Sequence, residues 1–396
     1  MGCESMRILL INEFIVMGGT EVQTFRERDY FVSQGHDVYI LTFDPEFPLQ
    51  IEGKEQNYPI HLNIFQKFLC KFHESENWVE KIKNIIQRIE PDVIHVNNLF
   101  ALPNVVMKAV ESYQVVQTIR DYGAVCPKST CIYKNGAICR GYRFENCKKC
   151  IGVSPLLRFR FMVLKHYNLI RKISVNQFVS PSQALADVCS SNAIPTRCLN
   201  NPFDFSKIIS CKKTYGEKKI YLYYGVISEI KGIRELFSAF ESFSINKGVK
   251  LWLAGKVMPG FKKEFEILLK NSAFAVYLGV KKFDEMMELY PEVYCVIAPS
   301  LWIENYPNTV LEALANKTIV IGSNRGGIPE LIQNDKYCFN ILDKNDFCRC
   351  LNDTYVLTVA EYISLTEKNY MRIVENNSQK TYYMKLVNIY DEIKKS

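Results

Sequence analysis

Glu304-Asn305-Tyr306-Pro307-Asn308-Thr309-Val310-Leu311-Glu312-Ala313-Leu314-Ala315 is the stretch on which the reading of this chain turns. It follows an apolar β-type run, Val293–Ala298, and its helical spacing begins near Asn308. Glu304 therefore stands before a helix start, and Glu312 lies about one turn inside. A carboxylate among Val310, Leu311, Ala313 and Leu314 costs free energy unless something pairs with it. The hydroxyls of a ribose suit that need, because one carboxylate accepts two parallel hydrogen bonds. The first-turn N–H groups of Asn308, Thr309 and Val310 offer themselves to a phosphate.

The same rhythm extends both ways along the chain. Short β-type runs (Arg7–Ile11, Asp37–Leu41, Asp92–Val96, Gln114–Thr118, Gln177–Ser180, Ile220–Tyr224, Lys250–Ala254, Thr318–Ile321) alternate with helix-length segments such as Glu21–Gln34, Trp78–Ile89 and Ile233–Phe243. Such alternation predicts an α/β protein with parallel sheets covered by helices on both faces. Ligands then bind in the crevice beyond the carboxyl ends of the strands. At 396 residues the chain suits two domains rather than one core. The polar stretch after Asn201-Pro202 is the natural linker, which predicts domains at 1–202 and 203–372. The last segment, about 373–396, has helical apolar spacing with no strand after it and is free to pack on either domain.

Two further post-strand loops have chemistry in them. Gly18-Gly19 before a helix lets a backbone approach a ligand closely, although a Gly-Gly pair is as often a plain turn. Lys231-Gly232 opens another helix, and a lysine there can neutralise a pyrophosphate or simply be solvated. After the strand Thr318–Ile321 comes Gly322-Ser323-Asn324-Arg325-Gly326-Gly327-Ile328-Pro329-Glu330, a glycine turn aimed at the same crevice as Glu304. The dinucleotide G-x-G-x-x-G and the Walker P-loop are both missing, which lowers the weight of NAD and ATP chemistry.

Composition narrows the class. A net charge of +7 with no block of five like charges argues against a nucleic-acid partner and suits anionic small molecules or an anionic membrane surface. No apolar run is long enough to span a bilayer, and the N-terminus lacks a signal-peptide layout, so a cytoplasmic protein is expected. Fourteen cysteines in such a chain point to reduced thiols or a metal site rather than a disulfide framework.

Taken together, E-x7-E at Glu304 and Glu312, the following G-G-x-P-E turn, the K-G pair and the N-terminal G-G-x-E resemble family 4 glycosyltransferases, in the right order over nearly the whole chain. The resemblance implies a GT-B fold, two Rossmann-like domains facing a central cleft, and transfer that retains the anomeric configuration. It implies a nucleoside-diphosphate sugar of UDP or GDP type as donor, a glycan or lipid-linked acceptor, and no cofactor for catalysis. It assigns Glu304 to the donor sugar, Glu312 to the ribose, Lys231 to the diphosphate, and Gly18 and Gly19 to donor phosphate and acceptor. The last helix is implied to cross back onto the first domain.

Two departures stand out. Val226 occupies a position where many relatives have arginine, so Lys231 or Arg325 has to supply the missing phosphate contact. Arg120-Asp121 stands where many have His-Asp, in a form that resembles a subset acting in cell-surface polysaccharide assembly. A guanidinium cannot serve as a base. Arg120 either stabilises departing phosphate or pairs structurally with Asp121; with Glu304 these two complete the candidate catalytic set.

Two more segments raise readings of their own. Cys126, Cys139, Cys147 and Cys150 have the spacing C-x12-C-x7-C-x2-C of a tetrahedral structural zinc site, blurred by Cys131; the alternative is a set of loop thiols without metal. The segment Leu156–Lys172 is basic and strongly apolar, which fits either peripheral contact with the inner membrane face or burial against the first domain. The rival functions are a nucleotide-sugar epimerase, a glycan phosphorylase, or a degenerate transferase acting as a scaffold subunit.

Overall fold

The computed structural model describes residues 5–15, 19–45, 54–69, 73–97, 99, 102–133, 137–139, 147, 150, 154–208 and 219–395. The chain divides into two compact units, one formed by Met1–Leu199 with Tyr383–Ser396 and the other by Asn200–Tyr382.

In the first unit, seven parallel strands form one sheet: β1 (Arg7–Ile11), β2 (Asp37–Thr42), β3 (Glu55–Asn57), β4 (Val93–Val96), β5 (Val115–Thr118), β6 (Gln177–Ser180) and β7 (Thr196–Cys198). Their order is β3-β2-β1-β4-β5-β6-β7. Ile8 to Ile11 and Val93, Ile94 and Val96 are fully buried, the continuous apolar runs that a sheet covered on both faces requires. The second unit repeats the plan with β8 (Lys219–Tyr224), β9 (Val249–Ala254), β10 (Ala275–Tyr277), β11 (Val293–Ala298), β12 (Ile319–Ser323) and β13 (Cys338–Phe339), in the order β10-β9-β8-β11-β12-β13. Both sheets are Rossmann-like. Strand order reverses between β1 and β4 in one and between β8 and β11 in the other, and ligands bind at the carboxyl ends of the strands at such reversals.

The expected strands are in place to within two residues, but β3, β7, β10 and β13 went unforeseen. Each has only two or three residues, too few to display a period. The final helix, Gln379–Lys394, starts in the second unit and ends in the first. There Tyr383 stacks on Tyr30 with ring centroids 3.9 Å apart, and the buried Tyr390 hydroxyl lies 2.7 Å from His95 Nδ1. Among the described residues no helix is long and apolar enough to cross a membrane.

Candidate active site

At the reversal point of the second unit, a short turn, Glu229–Lys231, follows β8 and ends at Gly232 with φ +71°. A Cβ at Gly232 would come within 1.7 Å of the Pro299 carbonyl oxygen, so only glycine lets this turn close on the loop after β11. The Trp302 N–H donates to the Ile230 carbonyl at 2.9 Å and fastens the two loops together. Lys231 is thereby brought to Glu304, and the two form an ion pair. Ser300 Oγ donates to the same carboxylate oxygen at 2.9 Å.

The glycine turn after β12 holds Glu304 from the other side. Its carbonyl accepts the Gly327 N–H at 2.8 Å, and a Cβ at Gly326 (φ +60°) would lie 1.9 Å from that oxygen. The E-x7-E and G-G motifs are thus one object, a carboxylate fixed through its own backbone. Around it lies a hollow lined by Tyr224, Gly225, Val226, Pro299, Asn308 and Thr309. It combines a cation, an anion, hydroxyls and a helix start, which is what a phosphorylated sugar or nucleotide requires.

The other residues expected here take unequal places. Glu312 is half-buried on the helix Asn308–Ala315, close enough to Tyr224 and Tyr290 to add to the burial that raises both phenols. The Val310 N–H already donates to the Pro307 carbonyl at 3.1 Å, and its side chain is in the core. Arg325 is buried, and its guanidinium donates to the Leu301 carbonyl at 2.7 Å, pinning the loop that carries Glu304. Val226 lines the hollow where an arginine would have put a charge.

In the first unit, Arg120 and Asp121 follow β5. Arg120 Nη2 donates to Asn97 Oδ1 at 3.0 Å and stands 3.7 Å from Glu27 Oε1; its ion pair here is with Glu27, a residue far away in sequence. Asp121 is exposed and caps the turn Tyr122–Ala124 by accepting the Gly123 N–H at 2.7 Å. Arg120, Asp121 and Asn97 line a second hollow, whose far wall is the helix Pro155–Ser174 through Phe159, Val163 and Tyr167. Gly18 lies outside the described residues, and Gly19 opens the helix Gly19–Ser33. Ser300, Asn97 and Glu27 escaped sequence reasoning. A glutamate inside a helix that otherwise packs on a sheet was the one signal that pointed to any of them.

Cys126 accepts the Cys131 N–H at 3.4 Å. The Cys131 thiol, and then the N–H groups of its own turn, pull the Cys126 thiol down to about 5 against the effect of burial. Cys139 pairs with Cys131 through backbone, and Lys128 Nζ reaches Cys150 Sγ at 3.6 Å. Among the described residues, however, no three His, Cys, Asp or Glu side chains come together closely enough to hold a metal ion. The thiols of Cys126, Cys139, Cys147 and Cys150 lie in one neighbourhood without forming a cage.

Two family models match the chain in succession. Residues 17–197 match "Glycosyltransferase Family 4", and residues 204–353 match "Glycosyl transferases group 1". An uncharacterized 42.6 kDa protein from the cps region of Klebsiella pneumoniae is 23% identical over 353 residues, covering 82% of this chain and 87% of that protein. A glycosyltransferase from Rickettsia africae superposes with a TM-score of 0.73 over 99% of each chain at 16% identity. Anabaena HepE, solved in complex with UDP and glucose, gives 0.69 over 98% of this chain and 100% of its own at 13% identity.

Proposed function

Because the chain belongs to the family 4 glycosyltransferases and has the GT-B fold, we propose that it moves a sugar from a nucleoside-diphosphate donor to a hydroxyl of a glycan or lipid-linked acceptor in cell-surface polysaccharide synthesis, with retention at the anomeric carbon. The observation that carries this reading is the Lys231–Glu304–Ser300 cluster at the reversal point of the second unit. Lys231 meets the diphosphate, and its pairing with Glu304 keeps both groups aimed into one hollow before donor arrives. The N–H groups of Asn308 and Thr309 assist. Glu312 accepts the ribose hydroxyls, while Glu304 contacts the donor sugar. The bond from the anomeric carbon to the diphosphate oxygen breaks as the bond to the acceptor oxygen forms. The acceptor's proton passes to the departing diphosphate, so no side-chain base is required.

The first unit takes the acceptor. Its hollow has an apolar wall from Phe159, Val163 and Leu164 together with the cations Arg120 and Arg160, which suits an anionic group joined to a lipid. The outer face of the same helix exposes Arg158, Met162, Lys165, Leu169 and Lys172 at intervals of three and four, and the helix has no acidic residue. Such a face lies on an anionic membrane, with cations at headgroup level. Charge reversal at Arg158, Lys165 and Lys172 should abolish salt-sensitive sedimentation with anionic vesicles, and unchanged sedimentation would remove this contact.

A panel of UDP- and GDP-sugars incubated with the purified protein tests the main reading. Release of nucleoside diphosphate from one of them, stimulated by acceptor, is expected. Val226 favours a second reading, a scaffold subunit that has lost catalysis, and this would be the conclusion if no nucleotide sugar were bound or turned over.

A further inference from the structure

Glu27 lies on the inner face of the helix Gly19–Ser33 and is fully buried. Taking a carboxylate out of water costs several kcal/mol unless charge and hydrogen bonds compensate. The helix needs only an apolar residue there to pack on the sheet, so the glutamate calls for another explanation.

Its surroundings supply one. Gln23 Nε2 donates to Glu27 Oε1 and Asn97 Nδ2 to Glu27 Oε2, both at 3.4 Å. Arg120 Nη2 stands 3.7 Å from Oε1 and donates to Asn97 Oδ1 at 3.0 Å, so Glu27, Asn97 and Arg120 close a small ring of contacts. His95 Nδ1 is 3.9 Å from the carboxylate, but the imidazole is fully buried and engaged by Tyr390 and Thr118. Burial pulls this histidine down to about 4, so at neutral pH it brings no charge. Arg120 is a permanent cation. Its side chain keeps 13% exposure and forms part of the wall of the first unit's hollow.

We propose that Glu27 is a positioning residue: with Asn97, it holds the Arg120 guanidinium at the wall of that hollow, in the orientation that meets phosphoryl oxygens of a substrate bound there. This rests on the reading of Arg120 as a phosphate contact. A flexible arginine would lose side-chain entropy on every encounter with its anion, whereas one held in advance does not. The carboxylate does not touch substrate; it acts through the guanidinium.

Chemical rescue tests this directly. Arg120→Ala should lower transfer about 100-fold, as loss of one charged contact to a developing phosphate does. Guanidinium ion at millimolar concentration should recover part of that activity, compared with sodium chloride at equal ionic strength. In the Glu27→Gln/Arg120→Ala double variant the recovery should vanish, because the anchor for the added ion is gone. Glu27→Gln alone should reduce kcat about tenfold with the donor KM unchanged. Asn97→Ala, which loosens the same guanidinium without stranding a charge, should move kcat in the same direction if Glu27→Gln fails to fold.

Equal rescue in both backgrounds would overturn the proposal. So would a Glu27→Gln protein that melts earlier yet keeps full kcat, which would leave the carboxylate a purely structural part. Normal turnover by Arg120→Ala would be a different failure, one of the functional reading of Arg120 itself.

Discussion

Each unit has an ion pair beside its hollow, and the two pairs are built to different ends. Lys231 and Glu304 keep side-chain exposures of 28% and 18%, so on the proposed function an arriving diphosphate takes the lysine and leaves the carboxylate to Ser300 and the sugar. Arg120 keeps 13%, but its partner Glu27 has none, and no ligand can reach that carboxylate to replace it. The first pair can open when substrate binds; the second is a permanent support. Removing one member of a partly exposed pair costs less stability than stranding a charge in a buried pair, which costs about 3–5 kcal/mol. Function should therefore respond more sharply than stability in the second unit, and the two should change together in the first.

The largest effect expected from that pattern belongs to Glu304. Glu304→Gln keeps the shape and the backbone bond to Gly327 but loses the charge, and turnover should fall about 1000-fold with melting temperature nearly constant. A matching drop in melting temperature would show the carboxylate to be structural and erase the contrast between the pairs.

Acid stability sharpens the other side. His95 titrates near 6.5 when unfolded and near 4 when folded, because burial opposes its charge. Above pH 6.5 both states are neutral and the fold has its full stability. As pH falls from 6.5 towards 4, only the unfolded chain gains the proton, so stability declines by on the order of 3 kcal/mol. Urea midpoints across that range should show the decline, and His95→Gln should flatten it.

A smaller effect belongs to Glu312. Glu312→Ala should weaken nucleotide binding about tenfold to 100-fold by calorimetry while kcat at saturating donor changes little. Smallest in consequence is Cys126 at the edge of the first hollow. Its thiol, drawn down to about 5, should be alkylated at pH 6.5 well before Cys147, which burial and then neighbouring thiols push up to about 12. Equal labelling rates would show that Cys126 has no such thiolate character.

The same contrast explains what could be read from residues in order. The second site is made of turns. Lys231-Gly232 is one of them, and Glu304, Asn308 and Thr309 sit within six positions of one another, so local chemistry announces all of it but Ser300. Even there, Arg325 has a tie that no local pattern encodes: its guanidinium is buried and donates to the Leu301 carbonyl. The first site is distributed over Glu27, Asn97, Arg120 and the wall at Phe159, brought together only by the strand order β1-β4-β5 and the helices around it. Arg120 was visible as an oddity, but its partner was not. The alternation of strands and helices made the two sheets legible, while the edge strands of two or three residues were too short to register.

The central claim is that the second unit holds a nucleoside diphosphate through Lys231. Titration of the wild-type protein and of Lys231→Ala with UDP and with GDP tests it without any knowledge of sugar or acceptor. One of the two nucleotides should bind the wild type and bind the variant about tenfold more weakly. Binding of neither nucleotide, or equal binding by both proteins, would contradict the account.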